Sequence, residues 1–172
     1  MARNQAERLR ANPVTPPLHV VLVEPEIPPN TGNIARLCAA TASTLHLVGQ
    51  LGFRIDEKSV RRAGIDYWHL VKVEQHVDLA HFRHAVPDAR WILFSASAKQ
   101  SYIDAAFRPG DALIFGRESV GLPDDLLALH SSSVYAIPTL GAVRSLNLAN
   151  AASIVVYEAL RQAGALANPF MG

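Results

Sequence analysis

The feature that most constrains this chain is an alternation. Short apolar runs recur from Leu18 onward, at 18–23, 45–48, 68–73, 91–94, 112–115 and 134–137, separated by stretches long enough for helices. The runs are mostly β-branched or aromatic, the pattern of strands buried on both faces. The intervening segments predict helices at about 31–43, 56–63, 76–85 and 123–130, and a long one at about 146–163. Strand, helix, strand, repeated, points to an α/β fold with a parallel sheet flanked by helices. With 49% hydrophobic and 18% charged residues, the 172-residue chain has the material for one packed core. It has no Gly/Ser linker and no internal repeat, so a single domain is expected over 18–163, after a flexible basic leader (1–17) and before a short tail (164–172).

Several classes fall away at once. The single Cys38 cannot make an internal disulfide, which excludes a stapled secreted scaffold. No apolar run reaches the length of a membrane span and no signal-like segment opens the chain. A soluble cytoplasmic protein without membrane contact is the expectation. Net charge is only +1, so charge placement must decide whether a polyanion is bound.

In open α/β sheets ligands bind beyond the carboxyl ends of strands, and three such loops stand out. The first is Glu24-Pro25-Glu26-Ile27-Pro28-Pro29-Asn30-Thr31-Gly32-Asn33. Its prolines stiffen it, Asn30 or Thr31 is placed to cap the next helix, and the free N–H groups at that mouth would suit an anion. Asn33 and Arg36, three apart, share one helical face. The second loop, Gly116 to Pro123, has glycines at 116 and 121 bracketing Arg117-Glu118-Ser119-Val120. It is neither a P-loop, since Leu122-Pro123 replaces Lys-Ser/Thr, nor a nucleophile elbow, since Arg117 stands where Gly is needed. The third, Pro138 to Asn150, carries Arg144, Ser145 as a plausible cap, and Asn147. The helix after it is apolar around most of its circumference, which suggests a second subunit. Asn150, Ser153 and Tyr157 form a polar stripe along it, serving either an interface network or a ligand. His76, His81 and His84 read as surface histidines, and no metal site is expected.

These three loops, in this order, resemble the signature motifs of the SPOUT superfamily of RNA methyltransferases. Glu24 to Cys38 and Arg61-Arg62-Ala63-Gly64-Ile65-Asp66-Tyr67 look like the signature of its short members, which methylate the ribose 2′-hydroxyl of the tRNA wobble nucleotide, position 34, a cytidine or modified uridine. The resemblance covers roughly Leu18 to Gln162. It implies a C-terminal deep trefoil knot, a homodimer, and S-adenosyl-L-methionine bound by Phe94, Gly116, Ile137, Ser145, Leu146 and Asn150. It also implies a catalytic group of Arg36, Asn30, Glu118, Ser145 and Asn147, in which Arg36 orients the hydroxyl or its phosphate and Glu118 could hold Arg36. tRNA, and not DNA, would be the partner, met by Arg54, Lys58, Arg61, Arg62 and Arg144. A ribose methyltransferase of ribosomal RNA and a catalytically silent RNA-binding module are the rival readings. A nearly neutral chain this short would need two copies to pool their arginines.

Overall fold

The computed structural model describes residues 7–56 and 67–172. Seven strands form one wholly parallel sheet: β2 (His19–Val23), β3 (Thr44–Val48), β4 (Val73–His76), β5 (Trp91–Phe94), β6 (Gln100–Ser101), β7 (Ala112–Phe115) and β8 (Val134–Ala136). Their spatial order is β4-β3-β2-β7-β5-β8-β6. From β2 the chain runs outward through β3 to β4, then crosses to the other side, and β7 returns to lie against β2. The loops after β2 and β7 therefore sit side by side where the winding reverses, the usual place for a ligand in such sheets.

Both faces of the sheet are covered. In β2, Val20 and Leu22 face one way, packing with Ile34, Leu37 and Cys38 of α1 (Pro28–Thr41) and Ala152, Val155 and Val156 of α4 (Leu148–Gln162). Val21 and Val23 face the other way, toward Phe82 of α2 (Leu79–Ala85) and Leu126 and Leu127 of α3 (Asp124–Leu129). Every residue of β3, β5 and β7 is buried, which is why these runs lack alternation in the sequence.

Most predicted elements stand where expected, with informative exceptions. The run 68–73 is not a strand: Trp68–Leu70 is a 3₁₀ turn, and β4 begins at Val73. Leu45 pairs with Val73 and its amide donates to the Lys72 carbonyl, and β3 starts only one residue earlier, at Thr44, so β3 offers nothing opposite residues 68–71. The helix expected at 56–63 falls almost wholly outside the described residues. Leu9–Arg10 (β1), within the expected leader, pairs antiparallel with Phe170–Met171 (β9) of the expected tail. The long final helix buries one side within the chain. Ala149, Ala152, Val155, Val156, Ala159 and Leu160 are buried, while Asn150, Ile154 and Tyr157 are exposed. No helix among the described residues is long and apolar enough to cross a membrane.

His76 is likewise not on the surface. It is 5% exposed and ends a row of rings: His19 Nδ1 lies 2.9 Å from His46 Nε2, and His46 Nδ1 lies 2.9 Å from His76 Nε2. Burial pushes His46 down to about 3 and lowers His19 and His76 as well, so the rings are neutral at pH 7. Phe82 covers the row, its ring 4.9 Å from that of His46, 5.4 Å from His76 and 5.9 Å from Trp91. Phe82→Ala should cost about 3–5 kcal/mol of folding stability. A urea denaturation midpoint that falls accordingly, with unchanged slope, is the expected result.

Candidate active site

The loop after β2 leaves the sheet through Glu24, whose φ of +50° is unusual for a residue with a side chain. Pro28 and Pro29 then open α1 and fix its first turn. Neither Asn30 nor Thr31 is the cap. Ile27 occupies that position and makes no side-chain cap bond. Because prolines carry no N–H, two of the donors that a helix start normally leaves unpaired do not exist here, and the Asn30 amide donates to the Ile27 carbonyl at 3.1 Å. The mouth expected to hold an outside anion is closed by the chain's own carboxylate. Glu118 Oε2 accepts from the Glu26 amide at 2.8 Å, and Oε1 accepts from the Ile27 amide at 3.1 Å and from Asn30 Nδ2 at 3.2 Å.

Asn30 carries the connection onward. Its Oδ1 accepts from Asn147 Nδ2 at 2.9 Å, while Asn147 Oδ1 accepts from the amides of Ala149 and Asn150. Asn147, not Ser145, is thus the cap of α4. A single chain of hydrogen bonds, Glu118 to Asn30 to Asn147, ties all three loops together. Buried Asn30, 6% exposed, has both ends of its amide engaged, so its orientation is determined.

A reciprocal clamp reinforces the first two loops. Glu26 accepts from the Ser119 amide at 3.0 Å and from Ser119 Oγ at 2.9 Å, and the hydroxyl holds the Glu26 carboxyl below its ordinary range. Glu24 pairs with Arg117. Gly116 permits the close approach: a Cβ there would lie 2.2 Å from the Gly121 carbonyl carbon and 2.3 Å from the Leu122 nitrogen.

Arg36 projects from the exposed face of α1 beside Asn33, as the spacing required, with its guanidinium carbon 4.8 Å from the centre of the Tyr67 ring. That contact is a cation–π pair. Glu118 does not hold Arg36 within this chain, since its oxygens are bonded at the start of α1. Arg54 and Arg144 are exposed; Lys58, Arg61 and Arg62 lie outside the described residues. Phe94, Gly116 and Ile137 sit at the carboxyl ends of β5, β7 and β8 respectively, three adjacent strands. The Phe94 ring is committed to the core, stacked 4.9 Å from Phe115, so what it can present to a ligand is backbone. Beyond Ile137 the chain is exposed, including Leu140 and Val143, with Leu146 half-buried and Ser145 and Asn150 open to solvent. Sequence reasoning missed Glu26, Ser119 and the ring of Tyr67 as partners. The acidic pair in Glu-Pro-Glu facing Gly-Arg-Glu-Ser was the available signal.

The family model described as the SpoU rRNA Methylase family matches residues 17–157. This chain belongs to that family. A SpoU relative from Escherichia coli K12, named tRNA (cytidine(34)-2′-O)-methyltransferase, is 45% identical over 148 residues, covering 86% of this chain and 94% of the relative. A solved structure concerned with 2′-OH methylation of C/U34 on tRNA is 48% identical with a TM-score of 0.79, covering 84% of this chain and 95% of that one. The SpoU methyltransferase AviRb from Streptomyces viridochromogenes, solved in complex with AdoMet, is 27% identical with a TM-score of 0.69, covering 85% and 60%.

The hydrogen-bond chain makes two energetic statements. Glu118→Gln keeps the shape but removes the charge and leaves one accepting oxygen for three donors, so it should lose about 2 kcal/mol of stability. Asn30→Ala and Asn147→Ala, combined in a double-mutant cycle followed by urea denaturation, should show a coupling energy above about 0.5 kcal/mol.

Proposed function

We propose that the chain methylates the ribose 2′-hydroxyl of the wobble nucleotide, position 34, in tRNA, with S-adenosyl-L-methionine as methyl donor. The observation that carries this reading is the joining of the three motif loops by the Glu118–Asn30–Asn147 chain beneath an exposed Arg36. The names of relatives with 45% and 48% identity over nearly their whole length support the substrate.

The cofactor's residues fit. Adenosine needs an apolar slot with close backbone approach, and the ends of β5, β7 and β8 offer Gly116, where a Cβ has no room, beside half-buried Ile137 and Leu146. Phe94 would add backbone, and Ser145 and Asn150 polar contacts. When bound, S-adenosyl-L-methionine supplies the methyl group as an electrophilic sulfonium carbon.

The chain's own contribution is alignment and charge. A ribose hydroxyl is a poor nucleophile, so in-line displacement depends on orientation and on loss of the hydroxyl proton to water or a base, and a nearby cation stabilises the alkoxide character that this loss creates. The planar guanidinium of Arg36, a fork of N–H donors, is suited to orient the hydroxyl or its neighbouring phosphate. Tyr67 holds that guanidinium from one side, and the Glu118 chain fixes the helix from which it projects. Arg54, Arg144, Lys58, Arg61 and Arg62 are assigned to phosphate contacts, which give affinity without sequence choice.

A net charge of +1 is small for gripping tRNA, and Ile154 (37% exposed) and Tyr157 (48% exposed) leave apolar surface on α4 uncovered. A second copy that covers α4 and pools arginines accounts for both. The family's C-terminal trefoil knot and a cytoplasmic site of action belong to the same reading, as does one methyltransferase domain spanning 18–163.

Incubation with labelled S-adenosyl-L-methionine and bulk tRNA, followed by nucleoside mass spectrometry, should reveal a 2′-O-methylated nucleoside from the anticodon loop. Its absence would overturn the assignment. Arg36→Ala should abolish methylation while cofactor affinity, read by calorimetry, stays within about twofold of the unaltered chain. tRNA affinity should fall linearly on a logarithmic plot against salt, and Arg144→Ala should make that slope shallower by about one unit.

A further inference from the structure

We propose that His46, Glu74 and His76 form a binding site for a divalent transition-metal ion of the zinc type, a structural site separate from the methyl-transfer machinery. The three residues come from neighbouring strands, His46 from β3 and Glu74 and His76 from β4, and His46 stands opposite Glu74 in the register. Their donor atoms form a compact triangle. His46 Nδ1 and His76 Nε2 are 2.9 Å apart, His46 Nδ1 and Glu74 Oε2 are 3.6 Å apart, and His76 Nε2 and Glu74 Oε2 are 3.9 Å apart. The point equidistant from all three lies about 2.0 Å from each, which is the bond length of zinc to imidazole nitrogen and carboxylate oxygen. Two imidazoles and a carboxylate are a donor set suited to zinc.

The surroundings are those of a ligand set. A metal-bound histidine normally gives its other ring N–H to a fixed acceptor. His46 meets this requirement, because its Nε2 lies 2.9 Å from His19 Nδ1. The second oxygen of Glu74 is held by Lys72 Nζ at 2.6 Å. Binding would select the tautomers in which both inward nitrogens of His46 and His76 carry lone pairs. His76 then places its proton on Nδ1, a buried atom with no hydrogen-bond partner among the described residues. Both histidines are buried, whereas the Glu74 side chain is 31% exposed, so the fourth position opens on the Glu74 side and is available to water. Such an ion would staple the edge strand β4 to β3. The turn immediately before β4 follows Tyr67, whose ring supports Arg36.

The test uses the full chain purified without a histidine tag. Zn²⁺ titrated in competition with a chromophoric chelator should bind one equivalent and raise Tm, and Co²⁺ should give the visible absorption of a four-coordinate nitrogen–oxygen site. Glu74→Gln, at a part-exposed position, should weaken Zn²⁺ binding at least tenfold and abolish the Tm rise. X-ray absorption on the Zn²⁺-loaded unaltered chain, which does not depend on any variant folding, should show two imidazoles and an oxygen-only remainder. Absence of stoichiometric binding, unchanged affinity in Glu74→Gln, or sulfur among the ligands would each overturn the proposal.

Discussion

The active-site architecture depends on one carboxylate. Glu118, at the end of the central strand β7, reaches across to the start of α1 and takes two backbone amides and one side-chain amide. A negative charge at a helix N-terminus is favoured by the aligned peptide dipoles, and hydrogen bonds to an ionised acceptor are stronger than neutral ones. Its placement relieves α1 of the need for a cap of its own. The stretch Ile27-Pro28-Pro29 is thereby free to be rigid and apolar. Glu26 and Ser119 return the same favour in the other direction, so the two loops constrain one another rather than one resting passively on the other.

Rigidity of this sort matters for a reaction that depends on alignment. Arg36 sits two helical turns from the prolines, on a helix whose start is fixed by Glu118 and whose flank packs against α4 through the core. The start of α4 is fixed by Asn147, which is bonded to the same Asn30. A disturbance at any of these three side chains would be felt at the other two, and through α1 at the arginine.

Much of this was legible in the residues. The strands were visible as uninterrupted apolar runs because parallel strands bury both faces, and the shared exposed face of Asn33 and Arg36 followed from helical spacing. The caps were misplaced for a definite reason. A residue three positions into a helix, such as Asn30, has the same composition whether it caps that helix or is itself held by a carboxylate more than eighty residues away. Nothing local distinguishes the two. The histidine row was hidden for a similar reason: the neighbours of His76 along the chain are His81 and His84, whereas in space it joins His46, and through it His19, on other strands. The run Trp68 to Val73 has strand composition, but where an edge strand starts is decided by its neighbour.

The two outermost strands have a further consequence. Lys72, just before β4, and Glu74 within it set opposite charges at the margin of the sheet, and β6 is only two residues long. Charged or very short borders are poor templates for another strand. Copies of this protein are thus discouraged from joining border to border into one continuous sheet, a mode of association that would lead toward fibres. Any lasting assembly is steered to the helical flanks, where shape rather than backbone pairing selects the partner.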